Sequence, residues 1–459
     1  DRLEEAFEST LRDNPLPGTI GRICHFHCQM RCRRDTIDEP VHQGEIHRYL
    51  ADTMYKMGRE NEIYDKLVKE KLPPTGKKIA VIGAGPAGLT AAFYLSRLGH
   101  GITVYDQNPK AGGVLRYGIP SYRLPKEILD KELQVFKKLG VKFLFNKTLG
   151  RDIRTDTLLK EYDAVFLAIG SYKHIGYDIS GSQLKGVVQG TELLDNMEKK
   201  KKVPPGKKAV IIGGGNVAID TARSLWRTGA DVTVAYRRAK EDMPANKSEI
   251  AEAEAEGIKF LFMANPVRIT GNKDGSVEAV EIMKMEGGQF DLSGRRKPVE
   301  TGNISVLKCD TVVIAVGEKV DSALLEQEKI ITTNKGTAYV NPYTCRTGKP
   351  LVYAAGDVTT GPSTAAEAMG QAKTASSIID FDLTGKHRFD SLFRTFEYGN
   401  EIPEEIISAE GIESRHLKVK ERKGNFQEIN LGYMGDQARR EAMRCLRCDI
   451  KLSGTGGVR

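Results

Sequence analysis

Alternating apolar runs and helical patterns predict an α/β arrangement for residues 79–106. Residues 79–82 form an apolar run bounded by basic residues and glycine, and the apolar positions at 89, 92 and 93 then recur at helical spacing. A second apolar run, residues 102–105, ends at an acid, Asp106. The pattern predicts a strand, a tight turn, a helix and a second strand.

The predicted turn has the spacing GxGxxG, which Gly83, Gly85 and Gly88 supply. Such a turn lets backbone N–H groups approach a pyrophosphate at a helix N-terminus, where the helix dipole favours negative charge. Asp106 then lies where a carboxylate can accept hydrogen bonds from a ribose diol. A glycine turn alone can be purely structural, but strand, turn, helix, strand and acid together predict dinucleotide binding.

The same pattern returns further along the chain. Residues 209–212 are apolar, Gly213, Gly215 and Ala218 form a GxGxxA turn, and a second strand is predicted at 232–235. Two dinucleotide folds in one polypeptide indicate that one cofactor reduces another.

The second copy lacks the acid that ends the second strand of the first copy. Tyr236, Arg237 and Arg238 stand where the first copy has Asp106. A guanidinium pairs bidentately with a 2′-phosphate, whereas an acid would repel it. We therefore expect NADP(H), rather than NAD(H), at the second copy. The alternative is that these arginines are ordinary solvated surface residues.

A third strand that ends in glycine follows the second copy. Residues 351–355 lead into Gly356 and Asp357, and an alanine-rich helix is predicted from about Thr364 to residue 379. An acid at such a strand end can bind a ribityl hydroxyl, and the helix N-terminus can point donors at a flavin carbonyl. Because this stretch lies beyond the second copy, we expect the first domain to be completed from the far side of an inserted one.

Composition and charge narrow the function classes. The 459 residues carry a formal net charge of +8 spread along the chain, which fits an anionic cofactor or an acidic protein partner. No nucleic-acid-binding module accompanies that charge, and no run of about 18 apolar residues predicts a membrane span. The charged opening is unlike a signal peptide, and because the chain begins with Asp1 we expect an upstream piece to be missing.

The seven cysteines are unevenly placed. Cys24, Cys28 and Cys32 recur every fourth residue and can converge; thiolate clusters bind zinc or iron-sulfur. A flavin on the same chain favours iron-sulfur, because flavin accepts a hydride and passes single electrons. Cys445 and Cys448 form a CxxC with metal-ligand spacing, which can instead be a redox dithiol. An odd count without a secretion signal indicates a reducing compartment, and we expect the cytoplasm.

Six motifs together resemble one flavoprotein family. They are GRICHFHCQMRCRR with DEPV after it, VIGAGPAGLTAA, GGVLRYGIPSYRLPK, VIIGGGNVAIDTAR, YRRAKEDMPA, and AAGDV with its helix. The sequence resembles the glutamate synthase small subunit, the large subunit of electron-bifurcating ferredoxin:NADP oxidoreductase, and the flavin and NADPH half of dihydropyrimidine dehydrogenase. The motifs cover nearly the whole chain in order.

The resemblance implies FAD, NAD(P)H and iron-sulfur sites. The residues expected to contact FAD are Gly83, Gly85, Pro86, Ala87, Gly88, Asp106, Gly112, Gly113, Leu115, Gly356, Asp357, Thr364 and Ala365. The residues expected to contact NADP(H) are Gly213, Gly215, Asn216, Val217, Ala218, Arg237, Arg238, Ala315 and Gly317. The expected metal ligands are Cys24, Cys28, Cys32, Cys445 and Cys448.

Five clustered cysteines suffice for one [4Fe-4S] cluster and fall short of two. In two-cluster relatives a side chain downstream of the PV segment is an additional ligand, and the position that aligns with it here is His47. The alternative is that His47 is an ordinary, partly buried histidine.

The expected fold class is α/β, with two Rossmann-like dinucleotide-binding domains preceded by a small helical domain. The expected boundaries are 1–74 for the helical iron-sulfur domain, 75–205 and 311–388 for the two parts of a discontinuous FAD domain, 206–310 for the inserted NAD(P)H domain, and 389–459 for a C-terminal extension with the CxxC.

The expected function is that of an electron-transfer flavoprotein subunit. Hydride passes between NAD(P)H and FAD, and electrons then move singly through iron-sulfur to other redox subunits or a ferredoxin in a hetero-oligomer. Flavin-based bifurcation is one form of this chemistry, and no general acid or base is required. Two alternatives stay open: a non-catalytic assembly subunit, and a disulfide reductase that uses Cys445 and Cys448.

Overall fold

The computed structural model describes residues 2–199, 206–291, 294–392 and 407–448. Its helices are α1 (Leu3–Asp13), α2 (Pro17–Ile23), α3 (Gln43–Met57), α4 (Glu60–Lys69), α5 (Pro86–Arg97), α6 (Val114–Tyr117), α7 (Lys126–Lys138), α8 (Thr155–Leu158), α9 (Gly190–Glu198), α10 (Asn216–Arg227), α11 (Lys247–Ala255), α12 (Ser322–Gln327), α13 (Asp357–Thr360), α14 (Ala365–Thr384), α15 (Phe389–Leu392), α16 (Val419–Arg422) and α17 (Gly435–Met443).

The strands of the described ranges alternate with these helices. They are β1 (Lys78–Ile82), β2 (Gly101–Asp106), β3 (Lys142–Phe145), β4 (Ala164–Leu167), β5 (Lys173–His174), β6 (Val187–Gln189), β7 (Lys208–Ile212), β8 (Asp231–Tyr236), β9 (Lys259–Phe262), β10 (Ala264–Gly271), β11 (Val277–Phe290), β12 (Arg296–Lys308), β13 (Thr311–Ile314), β14 (Glu318–Lys319), β15 (Val352–Ala354), β16 (Arg415–His416) and β17 (Asn430–Gly432). Within the described ranges, every helix is too short or too polar to span a lipid bilayer.

The first sheet is parallel, in the order β15-β4-β1-β2-β3. Strand β15 arrives from beyond the second nucleotide fold and pairs with β4, with Val352 opposite Val165. Parallel neighbours need a crossover connection rather than a hairpin, so a whole domain can be inserted between two strands of one sheet. The discontinuous first fold that the sequence predicts is confirmed.

The second sheet is also parallel, in the order β6-β13-β7-β8-β9. Val312 of β13 lies between Val187 of β6 and Val210 of β7. Both β6 and β13 therefore lie outside the range 206–310 expected for this domain. We propose that the inserted unit runs from residue 187 to residue 314. The three-residue strand β6 is too short to show periodicity, so its pairing could not be predicted from the sequence.

A long antiparallel hairpin extends from the second fold. Strands β11 and β12 pair from Ala279 opposite Lys308 to Phe290 opposite Arg296, with Asp291 and Arg295 at the tip of the hairpin, and β10 flanks β11 on its other side. We call this hairpin the arm. Antiparallel pairing needs no crossover helix, in contrast to the pairing within the two parallel sheets.

The helices α1 to α4 form the N-terminal body, as the sequence predicts. Phe7, Leu11 and Met54 are fully buried and belong to the same apolar core as Phe93 of α5 and Phe136 of α7. Burial of a large apolar side chain contributes about 1.5–3 kcal/mol. The N-terminal body is therefore packed directly against the first nucleotide fold.

A buried carboxylate joins the N-terminal body to α7. Glu132 is inaccessible to solvent and accepts hydrogen bonds from the backbone N–H of Gly18, at 2.6 Å, and of Thr19, at 3.2 Å. Burial raises the pKa of Glu132 to about 7, and the hydrogen bonds from Thr19 and Gly18 offset only part of that effect. The helix α2 that these bonds hold leads directly to Cys24.

We expect the stability contributed at this site to fall as the pH rises. The folded-state pKa of Glu132 is above the value of about 4.3 for an unperturbed glutamate. At pH values between these two pKa values, the folded state therefore binds a proton that the unfolded state has released. Between pH 5 and pH 8, wild type should lose about 2–3 kcal/mol of stability relative to Glu132→Gln. Melting temperatures of both proteins across this range test the expectation. The exposed Glu127 on the same helix offers the control variant Glu127→Gln, which makes the same substitution at the protein surface and should melt close to wild type.

Candidate functional site

One large cavity lies at the carboxyl ends of strands from both parallel sheets. Its volume is about 1290 Å³. The predicted nucleotide contacts that line it are Gly83, Gly85, Pro86, Ala87, Asp106, Gly113, Leu115, Gly213, Gly215, Asn216, Val217, Arg237, Arg238, Ala315, Gly317, Gly356, Asp357, Thr364 and Ala365. Gly88, Gly112 and Ala218 are outside this lining. The tertiary structure therefore brings both copies of the glycine turn to one space.

In the first glycine turn, Gly83 and Gly88 allow close packing, whereas Gly85 leaves space for a ligand. Gly83 has a φ of +106°, and a Cβ there would lie 2.2 Å from the carbonyl oxygen of Ala168. A Cβ on Gly88 would lie 1.8 Å from the carbonyl oxygen of Gly83. Gly85 has an ordinary φ of −82°, and its nearest neighbour would be Gly113 Cα at 3.9 Å. Gly85 thus leaves the backbone open toward the cavity, as a pyrophosphate cradle requires.

The second glycine turn repeats this arrangement. Gly213 has a φ of +139°, and a Cβ there would lie 2.1 Å from the carbonyl oxygen of Ala315. A Cβ on Gly215 would meet nothing within 4 Å. Gly215 lines the cavity and precedes α10, so the unpaired N–H groups of that helix N-terminus are directed to the same space. Both turns therefore fit a dinucleotide phosphate.

Asp106 braces the first turn. Its carboxylate accepts hydrogen bonds from the backbone N–H of Ala84 and of Asn108, both at 2.7 Å. Burial raises the pKa of Asp106, and these two hydrogen bonds oppose that shift. Asp106 also lines the cavity, so its predicted contact with a ribose diol stays a prediction that the geometry allows.

The helix α14 points its N-terminus at the cavity, with Thr364 and Ala365 in the lining. A capping box closes this end: Glu367 N–H donates to the Thr364 hydroxyl at 3.2 Å, and the Glu367 carboxylate accepts from Thr364 N–H at 3.1 Å. Gln371, which the motif did not reveal, accepts a hydrogen bond from Gly356 N–H at 2.8 Å. The side chain of Gln371 thereby holds the strand end that carries Asp357.

Cationic side chains gather at the end of β8. Tyr236, Arg237 and Arg238 all line the cavity, as the 2′-phosphate prediction requires. Arg238 also donates to Asp291 of the arm at 2.9 Å. Burial raises the pKa of Tyr236, and the positive charges around its ring oppose that shift. This end of the cavity is therefore electropositive.

The stretch around Cys24, residues 23–27, also reaches the cavity. Ile23, His25 and His27 line it, and His25 Nε2 lies 3.1 Å from the Asn216 amide nitrogen at the start of α10. Burial lowers the pKa of His25. The CHFHC motif places these histidines between Cys24 and Cys28, but its spacing gives no sign that they face a nucleotide cavity.

The three N-terminal cysteines lie in one neighbourhood. Burial raises the pKa of the Cys28 thiol, and the proximity of Cys24 and then of Cys32 adds to the shift. Such a set of thiols has the donor chemistry that iron-sulfur clusters require. Across the described residues, however, no three His, Cys, Asp or Glu side chains are grouped closely enough to hold a metal ion. The cysteine ligand set therefore stays a prediction.

The C-terminal cysteines are anchored beside this segment. Arg34, two residues after Cys32, is buried and donates to the carbonyl oxygen of Arg444, the residue before Cys445. Arg444 in turn donates to the carbonyl oxygen of Glu39 at 2.6 Å. Two predicted cysteine groups that are far apart in sequence are thus close to each other in the fold. Neither Cys445 nor Cys448 lines the large cavity.

His47 lies on α3 with its ring largely buried. Its Nε2 is 2.9 Å from the Gln43 amide nitrogen, and burial lowers its pKa to about 4. The imidazole is therefore neutral at physiological pH, which is the form that ligates metals. Its role as an iron ligand stays a prediction.

Two known families match the chain. The family described as pyridine nucleotide-disulphide oxidoreductase matches residues 77–372. The family described as dihydropyrimidine dehydrogenase domain II, 4Fe-4S cluster, matches residues 1–59. These ranges cover the two nucleotide folds and most of the N-terminal helical body.

Three curated proteins are similar over most of this length. The NADP(+)-dependent formate dehydrogenase subunit beta of Moorella thermoacetica is 36% identical over 477 residues, which cover 97% of this chain and 67% of that protein. The NADPH-Fe(3+) oxidoreductase subunit beta of Geobacter sulfurreducens is 32% identical, covering 97% and 71%. The glutamate synthase (NADPH) small chain of Escherichia coli is 33% identical, covering 82% and 83%.

Two solved structures share the fold of the nucleotide-binding part. Mycobacterium tuberculosis FprA in complex with NADPH has a TM-score of 0.58 at 20% identity, covering 71% of this chain and 88% of that one. Thioredoxin reductase of T. acidophilum has a TM-score of 0.51 at 22% identity, covering 67% and 99%. At these identities the likeness concerns the fold.

Proposed function

Because this chain belongs to the pyridine nucleotide-disulphide oxidoreductase family and has a 4Fe-4S domain at its N-terminus, we propose that it is the flavin subunit of a larger redox complex. It is an NAD(P)H-dependent flavin oxidoreductase with an iron-sulfur domain. The observation that carries the proposal is that both glycine turns and the stretch after Cys24 line one cavity. Hydride donor, flavin and cysteine segment can therefore be neighbours.

In this proposal the first fold holds FAD. Gly85 leaves space that a pyrophosphate would occupy, Asp106 would hold the ribose, and the N-terminus of α14 would supply donors to a flavin in this cavity. A bound flavin supplies the conversion between a two-electron hydride and single electrons. The protein's contribution is to position the reactants, and a preorganised helix terminus favours negative charge near it.

The second fold holds NADP(H) in this proposal. Gly215 opens the N-terminus of α10 to the pyrophosphate, while Arg237 and Arg238 are placed for a 2′-phosphate. The names of the three similar proteins all include NADP(H) and support this preference over NAD(H).

Electrons are proposed to leave through iron-sulfur toward a partner subunit or ferredoxin. The stretch that holds Cys24 and Cys28 contacts α10 through His25, so it adjoins the hydride-transfer cavity. Two of the similar proteins are named as subunits beta and the third as a small chain, which supports a hetero-oligomer. We place this activity in the cytoplasm, because free thiols persist in a reducing compartment.

Anaerobic NADPH titration of the FAD-loaded protein tests the function. We expect bleaching of the flavin absorbance by NADPH, and weaker bleaching by NADH. For Arg237→Ala, the KM for NADPH should rise roughly tenfold while the KM for NADH changes less than about twofold, since one charge-assisted contact is removed. Lys240→Ala, at an exposed cation nearby, should leave both KM values unchanged.

The alternatives make different predictions for the same titration. A non-catalytic assembly subunit would bind nucleotide without bleaching of the flavin. Equal changes in the two KM values for Arg237→Ala would contradict the assignment of Arg237 to the 2′-phosphate while leaving flavin reduction intact.

A further inference from the structure

The tip of the arm returns to the cationic end of the large cavity. Asp291 N–H donates to the Arg295 carbonyl at 2.8 Å, and Arg295 N–H donates to the Asp291 carboxylate at 3.2 Å. The other oxygen of that carboxylate accepts from Arg238 at 2.9 Å. Asp291 therefore joins the tip of the arm to Arg238, two residues after the end of β8.

Neighbouring residues of the arm face two different spaces. Arg295 lines the large cavity together with Arg237 and Arg238. Arg296 lines a second, smaller cavity of about 330 Å³ between the arm and the end of β8, which Arg238 and Pro298 also line. Arg295 lies directly before β12 and Arg296 begins that strand, and of the two it is Arg295 that lines the nucleotide site.

The positive charge of Arg295 affects the pKa of Tyr236, the last residue of β8. Burial is the main cause of the raised pKa of Tyr236. Positive charges oppose that shift, and the charge of Arg295 has a larger effect than those of Arg238 and Arg237. Tyr236 lies directly before the two arginines that the sequence assigns to the 2′-phosphate. Arg295 is therefore near the same position, although it is distant from them in sequence.

We propose that Arg295 is a specificity-determining residue that binds the 2′-phosphate of NADP(H) together with Arg237 and Arg238. This inference rests on the proposed function of the second fold. A guanidinium supplies several donors in a planar fork, which matches a phosphate group and has no partner on the free 2′-hydroxyl of NAD(H). Asp291 positions the site, because it holds Arg238 and the tip of the arm against each other.

Calorimetric titration of the FAD-loaded protein tests this role without turnover. The probes are adenosine 2′,5′-bisphosphate and 5′-AMP, which differ by the 2′-phosphate. Arg295→Ala should weaken binding of the bisphosphate roughly tenfold, the size of one charge-assisted contact, and leave 5′-AMP within about twofold. Arg296→Ala is the matched control, since it removes the same charge one residue away from a side chain that does not line the large cavity. It should leave both affinities within about twofold.

The outcomes separate this inference from the proposed function. If Arg295→Ala binds the bisphosphate as tightly as wild type while Arg237→Ala does not, the role of Arg295 is overturned and NADP(H) selectivity is intact. If Arg295→Ala and Arg296→Ala weaken bisphosphate binding equally, the effect comes from the general positive charge of the region, and the inference is overturned. If wild type binds both probes equally, NADP(H) selectivity itself fails, and this inference fails with it.

Discussion

Gly85→Ala is expected to yield a folded protein that has lost most of its affinity for FAD. The backbone of Gly85 has a φ of −82°, which alanine adopts freely, and a Cβ there would come no closer than 3.9 Å to any neighbour. The added methyl group would instead occupy the space through which the pyrophosphate approaches the turn. An overpacked contact costs about 1–3 kcal/mol, so the FAD dissociation constant should rise at least about fivefold.

The duplicated fold offers a reciprocal variant. Gly215 also has an ordinary φ, −88°, and a Cβ there would meet nothing within 4 Å. Gly215→Ala should therefore weaken NADP(H) by a similar factor and retain FAD, whereas Gly85→Ala should do the reverse. Flavin content after dialysis and calorimetric titration with NADP⁺ measure the two effects.

A third glycine is the control for this pair of variants. Gly370 is exposed on α14, outside the cavity lining, and a Cβ there would meet nothing within 4 Å. Gly370→Ala should leave both ligands bound as in wild type. Loss of both ligands in either Gly85→Ala or Gly215→Ala would mean that the two turns do not serve separate dinucleotides.

Glu256→Gln is expected to lower the stability of the second fold by about 3–5 kcal/mol, because buried Arg227 loses the acid with which it pairs, whereas Arg223 keeps Glu249 and Glu252. Glu256 is inaccessible and pairs with Arg223 at 2.7 Å, Arg227 at 2.9 Å and Arg422 at 3.2 Å. Burial opposes ionisation of Glu256, but the hydrogen bonds from Arg223 and Arg227 outweigh it, so its pKa lies below the ordinary value. Glutamine keeps the shape and removes the charge.

Glu254, near the end of α11 and two residues before Glu256, supplies the control for this variant. Glu254 pairs with Lys240 at 2.6 Å, and their side chains are 38% and 47% exposed. An exposed pair contributes about 0–1 kcal/mol, so Glu254→Gln should melt close to wild type. Glu256→Gln should melt roughly 5–15 °C lower, as followed by circular dichroism. A melting temperature equal to that of the control would show that the arginines are neutralised by other acids.

Through its ion pair with Arg422, Glu256 also contacts a segment that is distant in sequence. It belongs to the C-terminal extension, whereas Arg223 and Arg227 belong to α10, the helix that begins at the second glycine turn. The guanidinium of Arg227 also lies 3.8 Å from the ring centroid of Tyr122, in the GIPSYRLPK motif that precedes α7. One buried carboxylate thus helps to hold the extension, the second fold and part of the first fold in one arrangement.

Much of the site could be predicted because phosphate recognition is local. A GxGxxG turn is complete within six residues, and the replacement of Asp106 by Arg237 and Arg238 is visible when the two copies are compared. Arg295 could not be found in this way. It reaches the same end of the cavity from the arm, and pairing between β11 and β12 gives no signal that relates it to β8.

The sequence by itself determined the elements and chemistry that depend on short spacing: the two glycine turns, the α/β class and the cysteine pattern. Tertiary structure alone decided which distant segments meet. It placed β6 and β13 in the second sheet, brought His25 to Asn216, and set Arg444 beside Arg34. The physical reason is that turns and helix termini are determined by neighbouring residues, whereas parallel pairing and buried ion pairs join segments whose separation leaves no periodic trace.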